Sequence, residues 1–306
     1  MDGPNVNWKD FDIFQAERMQ ESSVKLLNVG SCGLHIVHNS FKAGHSATSW
    51  DIGSWLSALR WLFKDSPARR EDFINLTGTK PTCKSFKNLV DFAADALLEA
   101  KAQIFLSIAQ ELQPFLTKYQ TDSPMMPFIA EDLFTTIKSL LRRILQAETL
   151  SKLKSPHDLI ALDLKSKDIF LAYSKIEIGI ASSKVLQKIK ATDLQIMTLK
   201  NECRQFISSL VAKLLDKSPV MIRLVQKLSC LNPSLIASSP QLAASRFRDL
   251  LTILADSGRI SLNDCDQIYN KFIKCLEALE ENNVKPKFEL FHPATERLDD
   301  FFIQQF

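Results

Sequence analysis

From Trp50 to Glu281 apolar residues return every three or four positions, and this helical period restricts the fold more than any other feature of the chain. Trp50, Ile52, Trp55, Leu59 and Phe63 predict one helix that ends at Asp65-Ser66-Pro67, where Ser66 caps and Pro67 opens the next. The spacing predicts further helices over Phe86 to Leu112, stopping before Pro114, and over Ile129 to Leu153. Others follow over Asp193 to Leu215, Pro219 to Leu228, Gln241 to Ala255 and Leu262 to Glu281, joined by polar loops at 216–219 and 232–240. Residues 284–291 read as irregular, and Gly179, alone in an apolar stretch, reads as a helix junction. Only Val24 to Val29, a short apolar run closed by Gly30, reads as a strand. It follows a short helix from Asn5 to Gln15 with Trp8 and Phe11 on one face.

Composition agrees with that reading. Eight glycines and three tyrosines in 306 residues leave little material for a turn-rich sheet protein, so the fold class is mainly α. With 45% hydrophobic and 24% charged residues the chain can bury one large or two modest cores.

The N-terminus carries no basic region followed by an apolar core, so no secretory signal is expected. Nor is a membrane span, because the longest uncharged run, Leu228 to Ser245, is interrupted by Asn232, Pro233 and Pro240. Six cysteines without a Cys-x-x-Cys pair fit reduced thiols and a location in nucleus or cytoplasm.

Charge is unevenly placed. Lys138 to Lys227 holds 17 basic against 8 acidic residues, whereas Asp256 to Asp300 holds 6 against 10, so an acidic partner would be met by the central part and repelled by the tail. Solvated helix faces are the preferred account of these lysines, since no aromatic interleaving or arginine clustering marks a nucleic-acid groove. Enzyme signatures are sparse: there is no glycine-rich phosphate loop and no Gly-x-Ser-x-Gly elbow. Cys32, His35, His38 and His45 carry zinc-compatible atoms, but Cys-x-x-His-x-x-His lacks the paired spacing of structural zinc sites, so no metal is assigned to them.

One strand needs partners. The first forty-five residues supply a context for it: Asp2-Gly-Pro-Asn5, a helix, the strand, then Cys32-Gly-Leu-His35-Ile-Val-His38-Asn39. That order resembles the second half of the RNase H-like core of hAT-type transposases, in which a catalytic Asp at a strand end precedes a helix, a strand and a Cys-x-x-His motif opening a helix. The resemblance extends with less specificity over the large helical insertion of that family. It implies an incomplete RNase H-like α/β remnant at residues 1–45, an all-helical domain at 46–285, and a lead-in to a missing segment at 286–306.

In that family carboxylates hold two magnesium ions for phosphoryl transfer to DNA. By resemblance Asp2 is a vestigial member of the set and Asn5, Cys32, His35 and Asn39 belong to the surrounding motif. The other two carboxylates have no counterpart in the chain, so Mg²⁺ is expected only if a complete core exists. The family's Arg-Trp pair, which manages unpaired bases, is replaced by the stretch around Phe86, where Phe86 is the candidate for base stacking.

The reading is a catalytically inactive, transposase-derived protein with weak, non-specific DNA binding, self-association through its orphaned strand, and no membrane partner. Two alternatives stand beside it: an incomplete form of an active hAT-like transposase or nuclease, and a helical protein-interaction scaffold.

Overall fold

The computed structural model describes residues 5–22, 24–64, 90–281 and 284–305. Its longest helix, α9 (Asp193–Lys217), shows how the sequence specifies the fold. Thr192 caps it: its hydroxyl accepts from the Gln195 amide at 3.3 Å while Gln195 Oε1 accepts from the Thr192 amide at 2.9 Å. Leu199, Cys203, Phe206, Leu210 and Leu214 then recur on one face and are fully buried, until Ser218-Pro219 ends the helix.

Three other helices close around that face. They are α2 (Gly33–Ser46), α4 (Leu98–Lys118) and α5 (Met126–Arg142), which contribute Val37, Ile104, Ile108, Leu133, Ile137 and Leu140 to one continuous core. Phe206 is its centre. Its ring meets Phe41 at 5.2 Å, Phe105 at 6.2 Å and Trp50 at 6.0 Å, and complete burial of such a side chain is worth about 1.5–3 kcal/mol. Trp50 precedes α3 (Ile52–Phe63) and donates from Nε1 to Glu202 of α9 at 2.7 Å, which satisfies its one polar group.

A second core lies at the other end of the chain. Phe288 of α14 (Lys285–Leu290) packs edge to face on Phe301 of α15 (Leu298–Gln305) at 4.9 Å, and Phe291 lies tilted against Phe301 at 4.9 Å and stacks on Phe128 at the head of α5 at 6.1 Å. Leu276 and Leu279 of α13 (Leu262–Glu281) join them, with Ile236 of α11 (Pro233–Ser238) and Ala243 of α12 (Pro240–Asp256). Between the cores, Leu224 of α10 (Arg223–Leu228) meets Cys230 and Leu250.

The mainly helical expectation holds, and several details change. Val24 to Val29 forms no strand, and no sheet exists among the described residues; a single antiparallel bridge joins Leu145 to Phe170. The segment is extended coil because its backbone groups are taken by other partners. The Lys25 amide donates to Ser257 O at 3.1 Å, Arg259 donates to Lys25 O at 3.2 Å, and the Leu26 amide donates to Gln15 Oε1 at 2.7 Å. The expected RNase H-like α/β remnant at residues 1–45 is therefore not supported: its described residues hold α1 (Asn5–Ser22), this coil and α2, and no strand. Leu26 and Leu27, which an orphaned strand would leave open for self-association, are half-buried, with Leu27 against the Leu224 and Leu250 cluster, whereas Val29 is exposed.

Helix α4 runs through Pro114, because Leu112 and Phe115 both hold the core face and outweigh the missing amide donor. The helix expected to reach Leu153 stops at Arg142. Ile144 and Gln146 turn to the 169–171 segment instead, through Leu171 N to Ile144 O at 2.8 Å and Gln146 N to Ile169 O at 2.9 Å, before α6 (Ala147–Lys152) and α7 (Pro156–Ile160). Residues 233–238 and 285–290 are short helices rather than loops. Gly179 is a helix junction as expected: at φ 87° it opens α8 (Ile180–Lys188).

Candidate functional site

The motif residues meet at the start of α2. Gly30 adopts φ 89°, its amide donates to Asn28 Oδ1 at 2.8 Å, and a Cβ there would stand 3.0 Å from Ile222. This turn delivers Cys32 to the N-cap of α2 and His35 to its first turn. Along the helix Ile36, Val37 and Ser40 face the core while His35 and Asn39, one turn apart, face outward.

His35 and Asn39 line a cleft of about 420 Å³ whose opposite wall is the end of α9 and the turn after it, with Lys213, Asp216, Lys217 and Ser218. Asp216 lies 3.4 Å from Lys213 and 3.6 Å from Lys217, so one carboxylate is shared by two ammonium groups. Cys32 stands between two cleft residues, Ser31 and His35. Burial favours its neutral form, but the Leu34 and His35 amides and the His35 ring together favour the thiolate more, and the thiol lies below the ordinary cysteine value.

The other motif members separate. His38 is exposed and does not line the cleft. His45, at the far end of α2, stands edge-on to Phe105 at 5.4 Å, and its Nε2 is buried without a partner. Among the described residues no group of three His, Cys, Asp or Glu side chains can hold a metal ion, so Cys32, His35, His38 and His45 do not converge. Asn5 begins α1, while Asp2 and Phe86 lie outside the described residues, as do Ser66 and Pro67.

The basic stretch is a separate feature. Eight lysines between Lys152 and Lys190 are exposed, and none of them forms an ion pair among the described residues. Asp158, four residues on from Lys154, is occupied: its carboxylate accepts from the Lys154 and Ser155 amides at 2.9 and 2.7 Å and from the Ser155 hydroxyl, and these bonds lower its pKa. At the head of α8 a second cleft of about 590 Å³ gathers Arg142, Lys184 and Lys200. Arg143 on its floor is buried and paired with Glu111 at 3.1 Å, donating also to Glu177 O and Ser107 Oγ, so it builds the wall. Close by, Arg204 lies over the Tyr173 ring at 4.6 Å and the Phe170 ring at 5.2 Å.

Sequence reasoning found Cys32, His35 and Asn39 but not Lys213, Asp216 or Lys217. Nothing local announces a pairing between helices so far apart in the chain; the small residue Gly44, which lets α2 approach α9, is the sole trace of it in the sequence. Compared with known families, curated proteins and solved structures, the chain matches none. Among the described residues no helix is long and apolar enough to cross a membrane.

Proposed function

We propose that this chain is a transposase-derived helical protein that does no phosphoryl transfer and binds DNA weakly through its central basic surface. The observation that carries the reading is the set of eight exposed lysines from Lys152 to Lys190, unpaired among the described residues, on the short helices and loops between α6 and α8. Charges left without partners retain their full attraction for phosphate, and each phosphate neutralised releases condensed counterions. The motif Asp2, Asn5, Cys32, His35 and Asn39, in that order along the chain, supports the transposase ancestry.

The test is fluorescence anisotropy with a labelled duplex over a range of salt. Binding should weaken steeply with salt and be unaffected by Asp2→Ala, while Lys165→Glu, Lys167→Glu and Lys175→Glu together should weaken it by about tenfold or more and lower the salt slope by about 3. The same protein in Mg²⁺ or Mn²⁺ should neither nick nor join DNA. Salt-independent binding, or cleavage abolished by Asp2→Ala, sinks the proposal.

A further inference from the structure

Contrary to the expectation that no aromatic side chain interleaves with these lysines, Phe170 and Tyr173 stand between Lys165, Lys167 and Lys175, in a stretch with one acidic residue, Asp168. Phe170, 9% exposed, belongs to the core, whereas Tyr173 keeps 38% of its surface open. The turn Tyr173–Lys175 that carries the open ring is held at both ends. Before it Leu171 N donates to Ile144 O at 2.8 Å, after it Ile176 is buried, and Lys200 of α9 donates to Ser174 O within it. Arg204, also on α9, fixes the ring. Its guanidinium lies over the Tyr173 ring at 4.6 Å and the Phe170 ring at 5.2 Å, and its Nη2 donates to the Tyr173 hydroxyl and to Asn201 Oδ1, both at 2.9 Å. Among the described residues no carboxylate pairs with Arg204, Lys165, Lys167 or Lys175, so four uncompensated cations surround one exposed aromatic ring.

We propose that Tyr173, backed by Arg204, is a stacking platform for a base of single-stranded DNA, with Lys165, Lys167 and Lys175 holding the flanking phosphates. The proposal rests on the reading of the basic surface as a DNA-binding one and names the form of DNA that the surface prefers. Charge complementarity selects a polyanion, and the ring then selects among polyanions. In a duplex the base faces are covered by neighbouring base pairs, so a duplex meets only the lysines, whereas an unpaired base offers its face to the ring. Every base has such a face, so the preference is for single strands and not for a sequence. A ring already held by Arg204 and carried on an anchored turn gives up little freedom when a base settles on it, and the stacking is retained as affinity.

Fluorescence anisotropy on the full chain tests this with three labelled probes of equal length: oligo-dT, a single strand with the same backbone whose sites are all abasic, and a duplex. The wild-type protein should bind oligo-dT about fivefold or more tighter than the abasic strand, which carries the phosphates without the bases. Tyr173→Ala should weaken oligo-dT binding by about fivefold or more and leave the abasic strand and the duplex within about twofold of their wild-type values. Tyr173→Phe keeps the ring and should hold oligo-dT within about twofold of wild type. Added salt should weaken all three probes. Equal wild-type affinity for oligo-dT and the abasic strand, a comparison that needs no substitution and so cannot be confused with misfolding, overturns the platform and leaves the basic surface standing. Undiminished oligo-dT binding by Tyr173→Ala, or equal losses for oligo-dT and duplex, overturns it as well. Failure of the wild-type protein to bind any of the probes in a salt-dependent way sinks the basic-surface reading and the platform together.

Discussion

Residues 24–30 and residues 33–46 are neighbours in the chain and are held by different physics. The first segment is extended and is fixed by single hydrogen bonds to Gln15, Ser257 and Arg259, each worth about 0.5–1.5 kcal/mol net. The second is a helix pressed so closely on α9 that at Gly44 there is no room for a methyl group: an added Cβ would stand 2.7 Å from the Phe206 carbonyl oxygen and 2.9 Å from Leu210 Cβ. A few polar ties can open one at a time. A seam of close-packed backbone opens only with the core, so these adjacent segments are expected to differ in stability by most of the global unfolding free energy.

The largest effect should come from the seam itself. Gly44→Ala in an exposed helix would stabilise by about 1 kcal/mol, because alanine loses less backbone entropy. Here the obstructing atom is backbone, α2 and α9 must separate, and a net loss of about 2 kcal/mol is expected in denaturant unfolding. Gly53→Ala is the internal control. Its added Cβ meets only His45 Cε1 at an ordinary 3.5 Å, so the same substitution in α3 should be neutral or stabilise by up to about 1 kcal/mol. Equal effects at the two glycines would mean that the seam is not what fixes α2.

How much of this was legible in the sequence depends on how local the determinant is. Helices α3, α9, α12 and α13 follow from apolar spacing, since each buries a stripe its own residues define. Val24 to Val29 was misread as a strand because a short apolar run carries no period of its own, and whether it pairs is decided by remote groups such as Ser257 and Arg259. Pro114 was misread for the converse reason: the local rule is sound, but the tertiary burial of Phe115 overrides it. The candidate site divides in the same way. Cys32, His35 and Asn39 were visible as a motif, whereas the lysines opposite come from a helix some 180 residues away.

An intermediate effect is expected from pH, and it sharpens the contrast between a buried thiol in the seam and the one at its mouth. Cys203 has its folded-state pKa raised to about 11 from an ordinary 9.0 by burial. A raised value means that the unfolded chain releases the proton first: the stability is fully present below about pH 9 and is lost as pH climbs toward about 11. By about pH 10 the loss from this group should be on the order of 1 kcal/mol. Cys230, raised to about 12, adds a similar loss, and Tyr119, raised by burial and by Asp132 at 2.7 Å, acts in the same direction at higher pH. Cys203→Ala should be less stable near neutrality through its small cavity but show a shallower decline between about pH 9 and about pH 10. A decline as steep as in the parent would remove Cys203 as a source of alkaline sensitivity.

The smallest effect belongs to the polar ties, and it asks whether the two segments are independent units. Arg259→Ala removes the donor to Lys25 O and leaves the Lys25 and Leu26 amides with their own acceptors, Ser257 O and Gln15 Oε1. Global stability should fall by no more than about 1 kcal/mol, since one exposed hydrogen bond to a charged donor is lost and no charge is left buried. Native-state amide exchange is the more searching measurement. Residues 24–29 should exchange several-fold faster in the variant, because the carbonyl that anchored the segment to the α12–α13 corner is released, while the amides of Val37, Ser40 and Phe41 in α2 keep their protection. If α2 accelerates together with residues 24–29, the coil and the helix open as one cooperative unit, and the close approach at Gly44 does not isolate the helix from its neighbour.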